Sequence, residues 1–277
     1  MKKIILLIIS LPICLVANFI GMNNGARPLA MGNAFVALSD EATAIFSNPA
    51  GLARINQYYL KGSHQNLFGL SDLSNDMIAI SFPTPHFRTG IAIQQIILVD
   101  TYSEQIFYLS TAGIIKPKNI PIRFGASLKY ESAKVKNYDN AKSPANYDLD
   151  LGVLVDLTEN IFLGYSIKNL LEPTFQFISE DDKLVRKHTA GICYNWLNSV
   201  NFLADYVWTK NDSQWNLGSE LWFYEIFAAR LGMLNERLTA GLGLITKYWS
   251  IDGAVIAHEQ LGSTYRVSIG LKFGGVI

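Results

Sequence analysis

Tyr265-Arg266-Val267-Ser268-Ile269-Gly270-Leu271-Lys272-Phe273, read as YRVSIGLKF, decides the fold. Tyr265, Val267, Ile269, Leu271 and Phe273 are apolar, while Arg266, Ser268, Gly270 and Lys272 between them are polar or small. Successive side chains of a strand point to opposite faces, so this stretch is a strand with one greasy face and one wet face. The period recurs upstream. In YDLDLGVLVDL, Tyr147, Leu149, Leu151, Val153, Val155 and Leu157 share a face against Asp148, Asp150, Gly152 and Asp156. In IRFGASLKYE, Ile122, Phe124, Ala126, Leu128 and Tyr130 oppose Arg123, Gly125, Ser127, Lys129 and Glu131.

Alternation alone fits either a soluble sandwich with a buried face or a membrane barrel with a lipid-facing one. The surrounding sequence selects the barrel. Of the 277 residues, 49% are hydrophobic and 17% charged, whereas a soluble domain is nearer one-quarter charged. Beyond the first twenty residues no apolar run reaches the roughly 20 residues of a membrane helix. Runs between turn signals predict fourteen strands, over 57–67, 74–83, 88–99, 104–115, 122–136, 145–157, 161–171, 184–196, 200–210, 214–224, 226–235, 237–247, 249–259 and 263–273. Even counts are the rule for bacterial barrels, and tight turns such as Thr158-Glu159-Asn160 alternate with longer links at 137–146 and 172–183. Aromatics near strand ends (Trp196, Trp208, Trp222-Phe223-Tyr224, Tyr248-Trp249) read as interfacial girdles. The fold class is therefore an all-β, antiparallel up-and-down transmembrane barrel.

The wet faces carry the candidate lumen-facing residues Arg123, Lys129, Glu131, Asp148, Asp150, Asp156, Arg230, Asp252, Arg266 and Lys272, together with Lys168, Asp205 and Glu220. Two readings stand: a selectivity lining, or a mixed-sign network of ion pairs. No single sign dominates, which favours the network. Asp148 and Asp150 lie two apart on one face without an Asp-rich turn, so they do not supply the 6–8 converging oxygens of a calcium site. The two cysteines and four histidines show no zinc spacing. No nucleophile elbow of the Gly-x-Ser-x-Gly type occurs. The expectation is a non-enzyme without metal or cofactor. Lys+Arg and Asp+Glu balance at 23 each, which gives nucleic acid no basic footprint.

The N-terminus, MKKIILLIISLPICLVANF, has two lysines before an apolar run, the layout of a secretory signal peptide, and residues 1–17 are assigned to it. A lipoprotein signal ending at Cys14 is the alternative. Residues 18–56 do not alternate and are rich in Gly and Ala. Ser39 or Asp40 can cap a short helix over Glu41–Phe46, and Pro49 stops it. A fourteen-stranded barrel is too wide for wall side chains alone to fill, so this compact segment is a candidate plug. Residues 57–277 form the barrel.

Within this segment a resemblance becomes specific. Gly25-Ala26-Arg27, Met31-Gly32-Asn33-Ala34-Phe35-Val36-Ala37, Asp40-Glu41 and Asn48-Pro49-Ala50-Gly51-Leu52 resemble the N-terminal signature of FadL-type outer-membrane barrels, most closely the PorV/PorQ branch. Asn33 stands where that signature has a second glycine. The resemblance implies an outer-membrane barrel of a Gram-negative-type bacterium, with a hatch holding Gly25, Ala26, Arg27, Met31, Gly32, Asn48, Pro49, Ala50 and Gly51. It implies a role in transport or protein secretion. The alternatives are a passive channel for small hydrophobic compounds and a structural barrel without transport. The implied partners are outer-membrane lipid and either secretion-machinery components or a hydrophobic small molecule. A channel predicts an apolar cavity beside the hatch with a side opening through the wall; a secretion barrel predicts a filled or polar lumen. A charged residue among small ones, Arg27 is expected to pair with a wall carboxylate.

Overall fold

The computed structural model describes residues 25–84, 87–137, 142–177, 181–257 and 262–275. The expected signal peptide lies outside these residues. The chain runs through β1 (Gln57–Asn66), β2 (Leu73–Pro83), β3 (Arg88–Leu98), β4 (Tyr102–Ile115), β5 (Ile122–Val135), β6 (Ala145–Asp156) and β7 (Ile161–Lys168). A small hairpin of β8 (Thr174–Gln176) and β9 (Asp181–Lys183) follows. Next come β10 (Lys187–Trp196), β11 (Val200–Trp208), β12 (Ser213–Phe223), β13 (Phe227–Leu234), β14 (Arg237–Ile245), β15 (Trp249–Ile256) and β16 (Thr264–Gly275). Apart from the hairpin, each strand pairs antiparallel with the next, β7 pairs with β10, and β16 returns to β1 to close a fourteen-stranded barrel.

The strands begin and end within a few residues of where the alternation places them. The largest differences flank the 169–186 connection. β7 leaves the sheet at Asn169, which takes a positive φ of 57°, and Asp150 Oδ1 accepts the Asn169 N–H at 3.0 Å. The wall carboxylate replaces the ladder partner, so the strand stops there instead of continuing to 171.

The outer face is the greasy one. On β16, Tyr265, Val267, Ile269, Leu271 and Phe273 are 49–66% exposed, while Arg266 and Ser268 are buried. No helix of the described residues is long and apolar enough to cross a membrane. A closed barrel is the other construction that satisfies every backbone group in lipid, and the apolar exterior makes it a membrane-spanning one. Trp196, Phe223, Tyr224, Tyr248 and Trp249 are exposed at strand ends. Trp208 joins an outward row with Tyr165, His188, Tyr206 and Trp215. Trp222 departs from the girdle expectation: it shares the inward parity of Glu220, and its ring lies 5.9 Å from the guanidiniums of both Arg27 and Arg230.

Inside the strands lies the N-terminal segment, made of α1 (Ala26–Ala30), α2 (Ala44–Ser47) and a 3-10 stretch over Pro49–Arg54. The helix expected over Glu41–Phe46 is shorter and begins at Ala44, after Thr43, with no side-chain cap. The residues suited to cap it are engaged elsewhere. The Ser39 hydroxyl donates to Phe35 O at 2.8 Å, and Asp40 accepts from Arg27. The helix ends where Asn48 turns extended (φ −150°, ψ 103°), as the residue before a proline must.

Candidate functional site

The site is the contact between this segment and the wall. Its centre is a closed ring of six charges. Arg27 Nε and Nη2 donate to the two carboxylate oxygens of Glu220 at 2.8 and 2.9 Å. Arg230 Nε donates to Glu220 Oε1 at 2.7 Å and its Nη1 to Asp252 Oδ1 at 2.9 Å. Lys61 Nζ donates to Asp252 Oδ2 at 2.9 Å and to Glu41 Oε2 at 2.5 Å. Glu41 Oε2 lies 3.7 Å from Arg27 Nη1, which closes the circuit. Three cations thus alternate with three anions, and every member is at most 5% exposed. Two belong to the segment; the other four sit on β1, β12, β13 and β15. A buried ion is costly unless paired and hydrogen-bonded, and the ring pairs each on both sides. Asp40 adds a third carboxylate to Arg27 at 2.6 Å, and Thr43 Oγ1 donates to Glu41 Oε1 at 2.6 Å.

Wall oxygens hold the segment's backbone elsewhere. Asp205 Oδ2 accepts from the N–H of Phe35 and of Val36 at 2.8 and 2.9 Å. Ser268 accepts from Ala26 N, and Thr239 bridges Gly32 N and Ala30 O. Asn48 Nδ2 donates to Val36 O within the segment and to Val153 O of β6, at 2.9 and 3.0 Å, while its Oδ1 accepts from Ala50 N. Two glycines of the motif are required by close approach. A β-carbon at Gly32, where φ is +62°, would collide with the backbone oxygens of Met233 and Leu217, and one at Gly51 with Ser39 O. The wall reciprocates: a β-carbon at Gly125 would strike the Pro49–Ala50 peptide, and one at Gly152 the Asn48 side chain.

The wet-face residues fall into separate groups. Arg230 and Asp252 belong to the ring. Arg123 and Arg54 both reach Asp156, at 2.6 and 2.8 Å, tying the end of the segment to β5 and β6. Lys129 Nζ lies 2.9–3.0 Å from Glu131, Asp148 and Asp150 and donates to Asn169 Oδ1 at 2.6 Å. Asp148 and Asp150 also accept from the N–H of Leu171 and Asn169, so these carboxylates fasten the connection after β7. Arg266 Nε donates to Gln65 Oε1 at 2.6 Å. Lys272 stands apart: its Nζ lies 5.0 Å from the Tyr59 ring centre. It lines a cleft of about 320 Å³ with Asp40, Arg54, Ile55, Asn56, Gln57 and Tyr59. Among the described residues no group of three or more His, Cys, Asp or Glu is placed to hold a metal.

Lys61 and Glu41 are the ring members that alternation does not single out. Lys61 does occupy the inward parity of Tyr59, Ser63 and Gln65, a signal that the two tyrosines at the start of β1 obscure. In the described hydrogen-bonded ladders the one register shift is at Gln57/Tyr58, between β1 and β16, and the β6–β7 ladder spans Leu151–Asp156, so Ala145–Asp150 of β6 face the 169–186 connection instead of a barrel strand.

The chain has the fold of outer-membrane transport barrels. It is similar to the toluene transporter TbuX of Ralstonia pickettii (12% identity over 90% of this chain and 98% of that one, TM-score 0.62). It is similar to the toluene transporter TodX of P. putida (12% identity, 91% and 99%, TM-score 0.60). A Pseudomonas aeruginosa FadL homologue matches at 11% identity, 90% and 98%, with a TM-score of 0.57. These neighbours are channels and transporters, not enzymes, and the secretion reading of the N-terminal motif finds no support in them. No family model and no curated protein matches the chain.

Proposed function

We propose that this protein is a passive outer-membrane channel for small hydrophobic compounds, and that residues 25–56 are its plug. The observation that carries the reading is the shared fold with toluene transporters over nine-tenths of the chain. The enclosed segment adds to it. Its attachments are side chains and hydrogen bonds to many strands, without a covalent tie beyond its junction with β1, so it can shift without unravelling the wall. Residues 1–17 are proposed to direct export and to be removed.

The test uses intact Gram-negative cells, because hydrocarbons cross a bare phospholipid bilayer unaided and a vesicle would report nothing. Cells expressing the protein are expected to take up radiolabelled toluene several-fold faster than cells with an empty vector, and equal rates overturn the channel. The Gly25–Leu52 motif supports a second reading, an accessory barrel for protein export. Recovery of a stoichiometric export component with the barrel from outer membranes, with no gain in toluene uptake, would establish that reading instead.

A further inference from the structure

We infer that the solute path runs along one sector of the lumen, the inner face of β2, β3 and β4, and does not leave between those strands; this rests on the channel reading above. One buried apolar cluster spans that sector. It begins with Phe175, in the middle of β8, and Leu184, just after β9, which are 0% and 1% exposed. It continues through Ile106, Tyr108, Ala92 and Ala79 to Ile55 and Tyr59, and includes Ile45, Phe46 and Leu52 of the segment. Ile55 and Tyr59 line the cleft beside Lys272, so the cluster ends at an opening. Along β4 it extends from Tyr102 to Ala112. Ten residues at about 3.3 Å each, tilted by about 40°, rise about 25 Å, the height of a barrel's lipid-facing band.

The sector is also the uncharged one. Between Arg88 at one end and Glu104 at the other, no inward position of β2, β3 or β4 bears a charge. At mid-height the wall carries two alanines in register, Ala79 opposite Ala92, with Tyr108 opposite Ala92 on the next strand. Small wall residues leave a recess, and the segment fills it. Ile45 Cδ1 lies 2.7 Å from where a β-carbon on Gly90 would stand, and Phe46 meets Tyr108 edge to face with ring centres 5.1 Å apart. Rotation of Ile45 and Phe46 frees an apolar groove without breaking an ion pair. Phe175 and Leu184 close its far end in the same manner. The solute this groove takes is uncharged and apolar, because an ionised one would lose its hydration and the nearest charges, Lys129 and Glu131 opposite Tyr108 and Ile106 on β5, are already paired with each other. The unbroken ladders of β2–β3 and β3–β4 give the groove no exit between those strands.

The test measures N-phenyl-1-naphthylamine entry into intact cells, by its fluorescence rise. Ala79→Phe and Ala92→Phe fill the recess and are expected to cut the protein-dependent rate at least fivefold, with the barrel confirmed as folded by heat-modifiable gel migration. Phe46→Ala and Phe175→Ala empty the two closures and are expected to raise it at least twofold. Wild-type rates in the folded recess-filling variants overturn the path and leave the channel standing. If those variants do not fold, the alanine pair decides, and unchanged rates in both overturn the path. A wild-type protein that admits no more dye than an empty vector removes the channel reading itself.

Discussion

Two sectors of the lumen are built differently. On β1 and β11–β16 the inner wall presents Lys61, Asp205, Glu220, Arg230, Asp252 and Arg266, and it holds the segment by ion pairs and hydrogen bonds in addition to smaller apolar contacts such as Leu203 and Ile256. On β2–β4 it presents Met77, Ala79, Gly90, Ala92, Ile106 and Ala112 with the uncharged Asn75, Ser81, Gln94 and Ser110 between them, and apart from Arg88, which donates to Ile55 O, its packing on the segment is apolar side chains against small ones. Directional, paired charges fix position, because a shift leaves a buried ion without its partner. Apolar contacts are non-directional, and a rotamer change costs them little. The charged sector therefore anchors the segment, and the β2–β4 sector is where the proposed path would let it yield.

Substitutions test that contrast at decreasing strength. Glu220→Ala removes the carboxylate shared by Arg27 and Arg230 and leaves two buried guanidiniums short of a partner. Breaking a buried pair in this way costs about 3–5 kcal/mol, to be read as a lowered urea midpoint for the refolded barrel in detergent micelles. A loss below about 1 kcal/mol would mean that the ring does not anchor. The outer face bounds both sectors equally. Ile269→Arg, at a position 54% exposed on β16, should cost about 2–4 kcal/mol if it lies near the bilayer midplane. The readout is the fraction of protein reaching outer membranes, and normal assembly would reverse the assignment of faces.

Gly152→Ala places a methyl against the Asn48 side chain. Overpacking of this kind costs about 1–3 kcal/mol, and it should also raise the frequency of open-channel events in planar bilayers as Asn48 leaves Val153 O. Unaltered stability and unaltered openings would show that the motif does not need its tight seat. The smallest effect belongs to the exposed Lys183–Glu172 pair beside the hairpin, 3.2 Å apart. Lys183→Ala should leave the thermal midpoint unchanged, because exposed ion pairs contribute little; a clear drop would show that the hairpin is held by this pair.

Much of this was legible in the chain. Period-two alternation exposes the strands and their faces because a barrel's inner and outer solvents differ so sharply, and YRVSIGLKF needs no tertiary knowledge to be read that way. The 169–186 connection was less legible. Its break after Lys168 depends on Asp150 offering a carboxylate to Asn169, and a residue 19 positions away leaves no local mark. Trp222 was misplaced for a related reason. Proximity to a strand end suggested a girdle, but parity with Glu220 turned it inward beneath two arginines. Among the functional contacts, Arg27 stood out as a charge among small residues, yet its partner Glu220 is 193 positions away. A helix cap expected at Ser39 or Asp40 failed because both side chains were engaged by tertiary partners.

The sequence by itself determined that the chain is a barrel, how many strands it has, which residues face lipid, and that residues 18–56 are unlike the rest. These follow from local periodicity, which acts over neighbouring residues. Tertiary structure alone decided that six charges meet in one ring, that wall glycines such as Gly125 and Gly152 make room for the segment, and that one apolar cluster of the lumen gathers on β2–β4. Barrel closure brings residues of distant strands to a common height, and register, rather than residue type, selects which ones meet.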